Sequence, residues 1–330
     1  MTRRWPAEWE PHAATLLTWP WDAEIWGEHH AGAIDAMAAA AAALSHGEEV
    51  IVHVPPGGEA AARAAILRFG PRKKNLTLRE LPSDDVWVRD HGPTLVVDDG
   101  ALVAIDWRFD AWGKKFPHDR DAKIAAAAAE ALGASVERAS LTLEGGAIET
   151  DGRGTVLCTR SVALAANRNP TLTEADVDAE LRARLGATEV IWLDAGMACD
   201  DTDGHIDTLA RFIDASTVVV HVMADRSHPD AAVLDANRRA LEALGRWRVV
   251  ALEAPSIRDD DGEWLPASYA NFYIANGRVL LPTYDAPEDI TAMLTLSTLF
   301  RGRDVVPIPS RPLVAQGGAI HCATQQVPRV

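Results

Sequence analysis

Cysteine is scarce: the 330 residues include three, Cys158, Cys199 and Cys322. An odd count leaves at least one thiol unpaired, which argues against a disulfide framework and leads us to expect a reducing, cytoplasmic compartment. Long apolar runs are missing too. The Ala-rich stretch from Ala36 to Leu44 stops far short of the roughly 20 residues that cross a bilayer. The start, MTRRWPAEWEPH, carries Trp, Pro and Glu where a signal peptide would carry its apolar segment, so no export signal is expected. Neither GxGxxG nor GxxxxGKS/T occurs, which removes the main support for a nucleotide site. Basic residues are outnumbered, 32 Lys and Arg against 48 Asp and Glu, for a formal charge of −16. That balance repels phosphate backbones and anionic lipid, so nucleic acid and membranes are poor partners and a small cation is a better one.

What is present is repetition. A β-branched run, a loop, an Ala/Leu-rich helix, a Gly and a second β-branched run recur five times, from EEVIVHV, ALVAIDW, GTVLCTR, STVVVHV and GRVLLP onward. The helices should stop at Gly70, Gly133, Gly186, Gly245 and Gly302, and Thr173 with Asp176 should cap a start. One such unit cannot bury its own faces, so the expected architecture is a closed α/β propeller-like ring, residues 1–330 forming a single domain without an internal linker. An ordinary doubly wound sheet is the alternative. The first 45 or so residues read as a lid or leading blade edge plus one helix.

The connectors between units decide for the ring. PSDDVWVRDHGP, TLEGGAIETD, DAGMACDDTDGHID, ASYANFYIANG and QGGAIHCATQQ are polar and Gly-rich, and four of them carry carboxylate, imidazole or thiol groups. Equivalent positions of a ring converge on one central pocket. Cys322, preceded by Gly317 and Gly318, is the candidate nucleophile, whereas Cys158 lies in a strand and reads as core. His205 and Asp207 stand two apart, so on an extended segment they share a face. Asp90, ahead of a Gly-Pro turn, and Glu144, in LEGG, occupy corresponding connectors. No metal or other cofactor is expected: DDTDGHID fails the EF-hand pattern, with Cys199 at its first position and Ala210 at its twelfth, and ligand spacing for zinc is lacking.

Carboxylates around a cysteine raise its pKa and blunt it, unless the substrate is itself a cation. A guanidinium offers planar N–H donors to paired carboxylates, and its charge favours the thiolate. Attack of Cys322 on the guanidine carbon, proton delivery by His205 to departing ammonia and hydrolysis of the thiouronium by water would yield a ureido product.

These connectors, in this order, resemble the agmatine deiminase family, which includes bacterial peptidylarginine-deiminase-like proteins, of the guanidine-modifying pentein enzymes. The resemblance runs nearly end to end, through VWVRDHGPT, FDAWGKKFPHD, LEGGAIETDG, NRNP, DDTDGHIDTLARF, SYANFYIANGRVLLP and GGAIHCATQQVP. It implies a five-module α/β propeller around a central site, hydrolysis of agmatine to N-carbamoylputrescine and ammonia, and a place in polyamine (putrescine) biosynthesis. Cys322 would be the nucleophile, His205 the general acid and base, Asp90 and Asp207 the guanidinium clamp, and Glu144 the residue orienting His205. Asp201 would touch substrate, and Trp87 would stack on the guanidinium plane. Where the family commonly reads RDTGP this chain has His91, and Gln316 replaces a glycine before GGAIHC. Peptidyl-arginine, free or methylated arginine, amidino transfer to an amine, or a non-enzymic cation-binding propeller are the alternatives, and a homo-oligomer is open.

Overall fold

The computed structural model describes residues 3–330. Five small sheets make up the molecule, each with one antiparallel and at least two parallel strands. In the second module Thr94–Asp98 pairs antiparallel with Ala101–Arg108, which pairs parallel with Ser135–Thr142. Ile148–Thr150, Thr155–Thr159 and Glu189–Leu193 repeat the arrangement in the third. The fourth uses Ala210–Asp214, Thr217–Val222 and Arg248–Glu253, and the fifth Tyr273–Ala275, Arg278–Thr283 and Asp304–Pro309. The parallel pairs are joined by the helices Ile124–Leu132, Glu174–Leu185, Ala231–Ala243 and Glu288–Leu299.

The recurring unit is therefore one strand longer than the sequence pattern suggests. Each antiparallel strand lies within a segment read above as a connector or just after it. These strands are short, and all residues of Ile148–Thr150 and Tyr273–Ala275 are buried. Two of them carry buried ionic residues, Glu149 and Arg211, which pair with each other at 3.0 Å. Short length and internal charge erase the alternation that marks an ordinary strand. The third strands face outward, with exposed Arg248, Glu253 and Asp304 blunting those edges.

The N-terminal strand is not an edge of its sheet, although Ile25 of the same region does line the central cavity. His12–Thr18 lies inside the first sheet, antiparallel to Thr324–Pro328 and parallel to Glu49–Val54, which continues to Leu76–Glu80. Its following helix, His30–Leu44, buries most of its alanines, and Gly32 admits Pro312 so closely that an added Cβ would lie 2.4 Å from the proline ring. The ring is thus closed by strands from opposite ends of the chain. Two of the five expected helix stops are left-handed C-caps, Gly133 and Gly186 with φ of 70° and 69°, and Thr173 with Asp176 forms a capping box, whereas the other three helices cap at Arg68, Leu244 and Phe300, just before Gly70, Gly245 and Gly302.

Candidate active site

Each module contributes to the centre from the turn just ahead of its antiparallel strand. Asp90 sits in the helical turn Val88–His91, Glu144 ahead of Gly145–Ala147, and His205 and Asp207 flank Ile206 at the turn before Ala210–Asp214. Asn271 precedes Tyr273–Ala275, and Cys322 precedes Thr324–Pro328. The turns hold one another: Arg89 N–H donates to the Cys322 carbonyl at 3.0 Å, and Gly146 N–H donates to Asp90 Oδ1 at 3.0 Å. Only glycine fits at 146, since a Cβ would stand 2.6 Å from His205 Nδ1 and 2.7 Å from Asp90 Oδ1.

Cys322 is buried, with Asn271 Nδ2 donating to its Sγ at 3.1 Å and Asp207 Oδ2 3.5 Å away. Burial, then Asp207 and Asp90, push its pKa well above the usual thiol value. These surroundings favour the protonated thiol. His205 lies 3.6 Å from Asp90 and 3.5 Å from Glu144, too far for tight hydrogen bonds. Burial opposes its charge, but Asp90, Glu144 and Asp207 together lift its pKa to about 9, so it carries a proton at neutral pH. Burial raises Asp90 to about 6, with Asp207 and Glu144 adding to the effect and His205 opposing it.

Glu144 is braced by Arg168, whose Nε donates at 2.8 Å, while the same guanidinium reaches Asp203 at 2.6 Å. Burial works against the Glu144 charge, yet His205 and Arg168 hold its pKa below the usual range. Asp207 is likewise lowered against burial, chiefly through His321, whose Nδ1 is 2.7 Å from Oδ2. Its Oδ1 is buried with no hydrogen-bond partner. A buried acceptor left open in this way carries a desolvation penalty until a donor arrives.

Asp201 and Trp87 take different places. Asp201 is exposed at the cavity rim near Gly317, and its carbonyl accepts from Lys115 Nζ at 2.5 Å. Trp87 is a buried wall, pressed so closely against Gly318 that a Cβ there would fall 2.6 Å from its ring. Both line the same cavity, of about 340 Å³, as Asp90 and Cys322, together with Asp85, Trp112, Phe116 and Gln316. None of the described lining residues is Lys, Arg or His. Of the two sequence departures, Gln316 faces this cavity, whereas His91 is buried away from it against Phe109.

Three contributors escaped the sequence reading. Asn271 lies in the one connector without an acid, imidazole or thiol, and its equivalent placement was the available signal. His321 and Glu8 form a chain behind Asp207, with His321 Nε2 2.8 Å from Glu8 Oε2. Glu8 in turn accepts from Arg211 at 2.7 Å and Arg89 at 3.2 Å. Burial and the two guanidiniums oppose a charge on His321, while Glu8 and Asp207 favour it. On balance the His321 pKa is lowered, by burial first, and its two short contacts are each made as a donor only where the ring nitrogen bears a proton and the facing acid is ionised. The other cysteines are apart: burial drives Cys158 up to about 12, and Cys199 is raised by burial and by Asp230.

Five modules around a buried thiol, an imidazole and converging carboxylates define a guanidine-modifying enzyme of the pentein fold. The chain belongs to the family described as Porphyromonas-type peptidyl-arginine deiminase, whose model matches residues 4–328. It is 42% identical over 344 residues, covering all of both chains, to a Streptomyces coelicolor protein assigned as an agmatine deiminase. A C. jejuni agmatine deiminase, solved as a cysteine-to-serine variant with substrate bound, superposes with a TM-score of 0.92 at 25% identity, over 99% of this chain and 97% of that one. The agmatine deiminase of Enterococcus faecalis gives 0.91 at 29% identity, over 99% and 96%. The protein is thus an agmatine deiminase-type hydrolase acting on the C–N bond of a guanidine.

Proposed function

We propose that the substrate is agmatine, hydrolysed to N-carbamoylputrescine and ammonia through a covalent adduct on Cys322, without a cofactor. The observation that carries this reading is the cavity lining: three carboxylates and three large aromatic rings, with no basic side chain among the described residues. A substrate that is cationic at both ends suits such walls. The α-carboxylate of free arginine would find no basic side chain in this lining.

The guanidinium donates to Asp90 and to the open Oδ1 of Asp207, supplying positive charge that favours the thiolate. As the cation enters, Cys322 releases its proton to solvent, where it ends on the ammonia set free in the next step, and the thiolate forms a C–S bond to the central carbon. His205 gives its proton to the departing nitrogen, the C–N bond breaks and ammonia leaves. The neutral imidazole next takes a proton from water, whose oxygen attacks the S-alkylthiouronium, and the C–S bond breaks to release the urea and regenerate the thiol. Glu144, fixed by Arg168, keeps the His205 ring in line. Trp87 packs as a wall across which the guanidinium plane can lie.

The closure of the sheet by His12–Thr18 and Thr324–Pro328 supports treating the chain as one catalytic domain. Three unpaired thiols support a reducing cytoplasmic setting, and no helix among the described residues is long and apolar enough to cross a membrane. The test is ammonia release from agmatine, arginine, methylarginines and a peptidyl-arginine, with and without Cys322→Ala. Agmatine should be the preferred substrate, and Cys322→Ala should be inactive. Faster turnover of arginine or peptidyl-arginine would overturn the substrate assignment, and activity that survives Cys322→Ala would overturn the nucleophile.

A further inference from the structure

The segment Ala111–Lys114 is the most strained backbone at the cavity. Four consecutive residues have positive φ, at 54°, 57°, 85° and 67°, and three of them, Ala111, Trp112 and Lys114, are not glycine. Such runs persist only where surrounding contacts impose them, and they cluster at functional sites. Here the contacts are explicit. Asp110 Oδ1 accepts from Gly113 N–H at 2.9 Å, and Gly113 packs so tightly on Asn167 that a Cβ would stand 2.1 Å from its Nδ2. Lys115 reaches across to Asp203 Oδ1 at 2.7 Å, and Asp203 is also held by Arg168, the partner of Glu144.

What this strained turn delivers is one hydrogen bond. The Trp112 indole Nε1–H donates to Asp90 Oδ2 at 2.9 Å, while Gly146 N–H holds Oδ1. The two donors fix the carboxylate plane, and the Trp112 ring is itself buried, edge-on to Phe109 and Phe116. Resting on the deiminase reading above, we infer that Trp112 is a positioning residue: the left-handed turn exists to aim its indole N–H at Asp90 and keep that carboxylate ionised and oriented for the guanidinium. Burial already pushes Asp90 up to about 6, and among the groups facing it, Asp207 and Glu144 push the same way while His205 and the indole oppose them. Removing the indole donor moves the balance toward the protonated acid, which cannot clamp a cation.

The experiment compares the parent enzyme with Trp112→Phe, which keeps a ring but no donor, and with Gly113→Ala, which keeps the indole but disrupts the turn. For a shift of about one pKa unit, the loss in kcat/KM for agmatine should be about fivefold greater at pH 6 than at pH 8 in both variants. Guanidinium chloride should also weaken as a competitive inhibitor. A purely structural role would lower kcat/KM by the same factor at both pH values, and that result overturns the inference. A readout independent of turnover is the infrared carboxyl band assigned by Asp90→Asn. Its titration midpoint should rise by about one unit in Trp112→Phe, and an unmoved midpoint in a folded variant refutes the inference even if the parent enzyme proves to act on another guanidine. A parent enzyme inactive on every guanidine would instead overturn the functional reading alone.

Discussion

At the scale of single residues, the site is a balance of protons set by burial. His205 holds its proton up to about pH 9 and Asp90 holds its own up to about pH 6, so the productive pairing of imidazolium and carboxylate occupies the interval between. The kcat/KM profile for agmatine should be a bell with limbs near those values, and a flat profile from pH 5 to 10 would contradict the assignment. The same shift bears on stability. A histidine whose folded pKa exceeds its unfolded value stabilises the protein fully below about 6.5 and loses that contribution as pH rises to about 9. Thermal melts of the parent and of His205→Gln should therefore differ in slope between pH 6.5 and 9, with the parent falling more steeply.

Residue types in the connectors made Cys322, His205, Asp90, Asp207 and Glu144 readable before any coordinates, because thiol, imidazole and acid recur where a ring would bring them together. Glu8 and His321 were not readable in the same way. Their link spans nearly the whole chain, and nothing local to PAEWEPH or GGAIHC announces that one carboxylate serves two arginines and a histidine.

At the scale of elements, the turns ahead of the inner strands hold the candidate catalytic side chains and the strands fix where those turns sit. Gly146→Ala tests this directly, since its Cβ would intrude on both His205 and Asp90. Loss of about a hundredfold in kcat is expected, the order that a displacement near 1 Å costs, with KM and far-ultraviolet circular dichroism as companions. Retention of full activity would show that the turn has more room than its packing indicates. Thr173→Ala is the contrasting case. Loss of that capping box, remote from the cavity, should lower stability by about 1 kcal/mol in denaturant melts while leaving kcat/KM unchanged. The parallel strands and helices were legible because their apolar periods and glycine stops are local signals. The inner strands were not, because three to five buried residues, some ionic, present no period to read.

At the scale of the whole molecule, the charge of −16 surrounds a cavity that takes a cation. Encounter with doubly charged agmatine should be steered by that field and screened by salt, so kcat/KM should fall severalfold from about 20 to 300 mM NaCl while kcat holds. Salt-independent kcat/KM would mean that the excess acid is ordinary solvated surface.

Closure of the first sheet by Thr324–Pro328 also bears on how the protein is made. His12–Thr18 emerges from the ribosome early and must wait for almost the entire chain before its neighbour exists. During that wait an apolar strand edge lies open to other nascent chains, and pairings between distant segments form slowly. Synthesis at high expression should therefore be the step most prone to aggregation, and an enzyme that is robust once closed should depend on chaperones to reach that point.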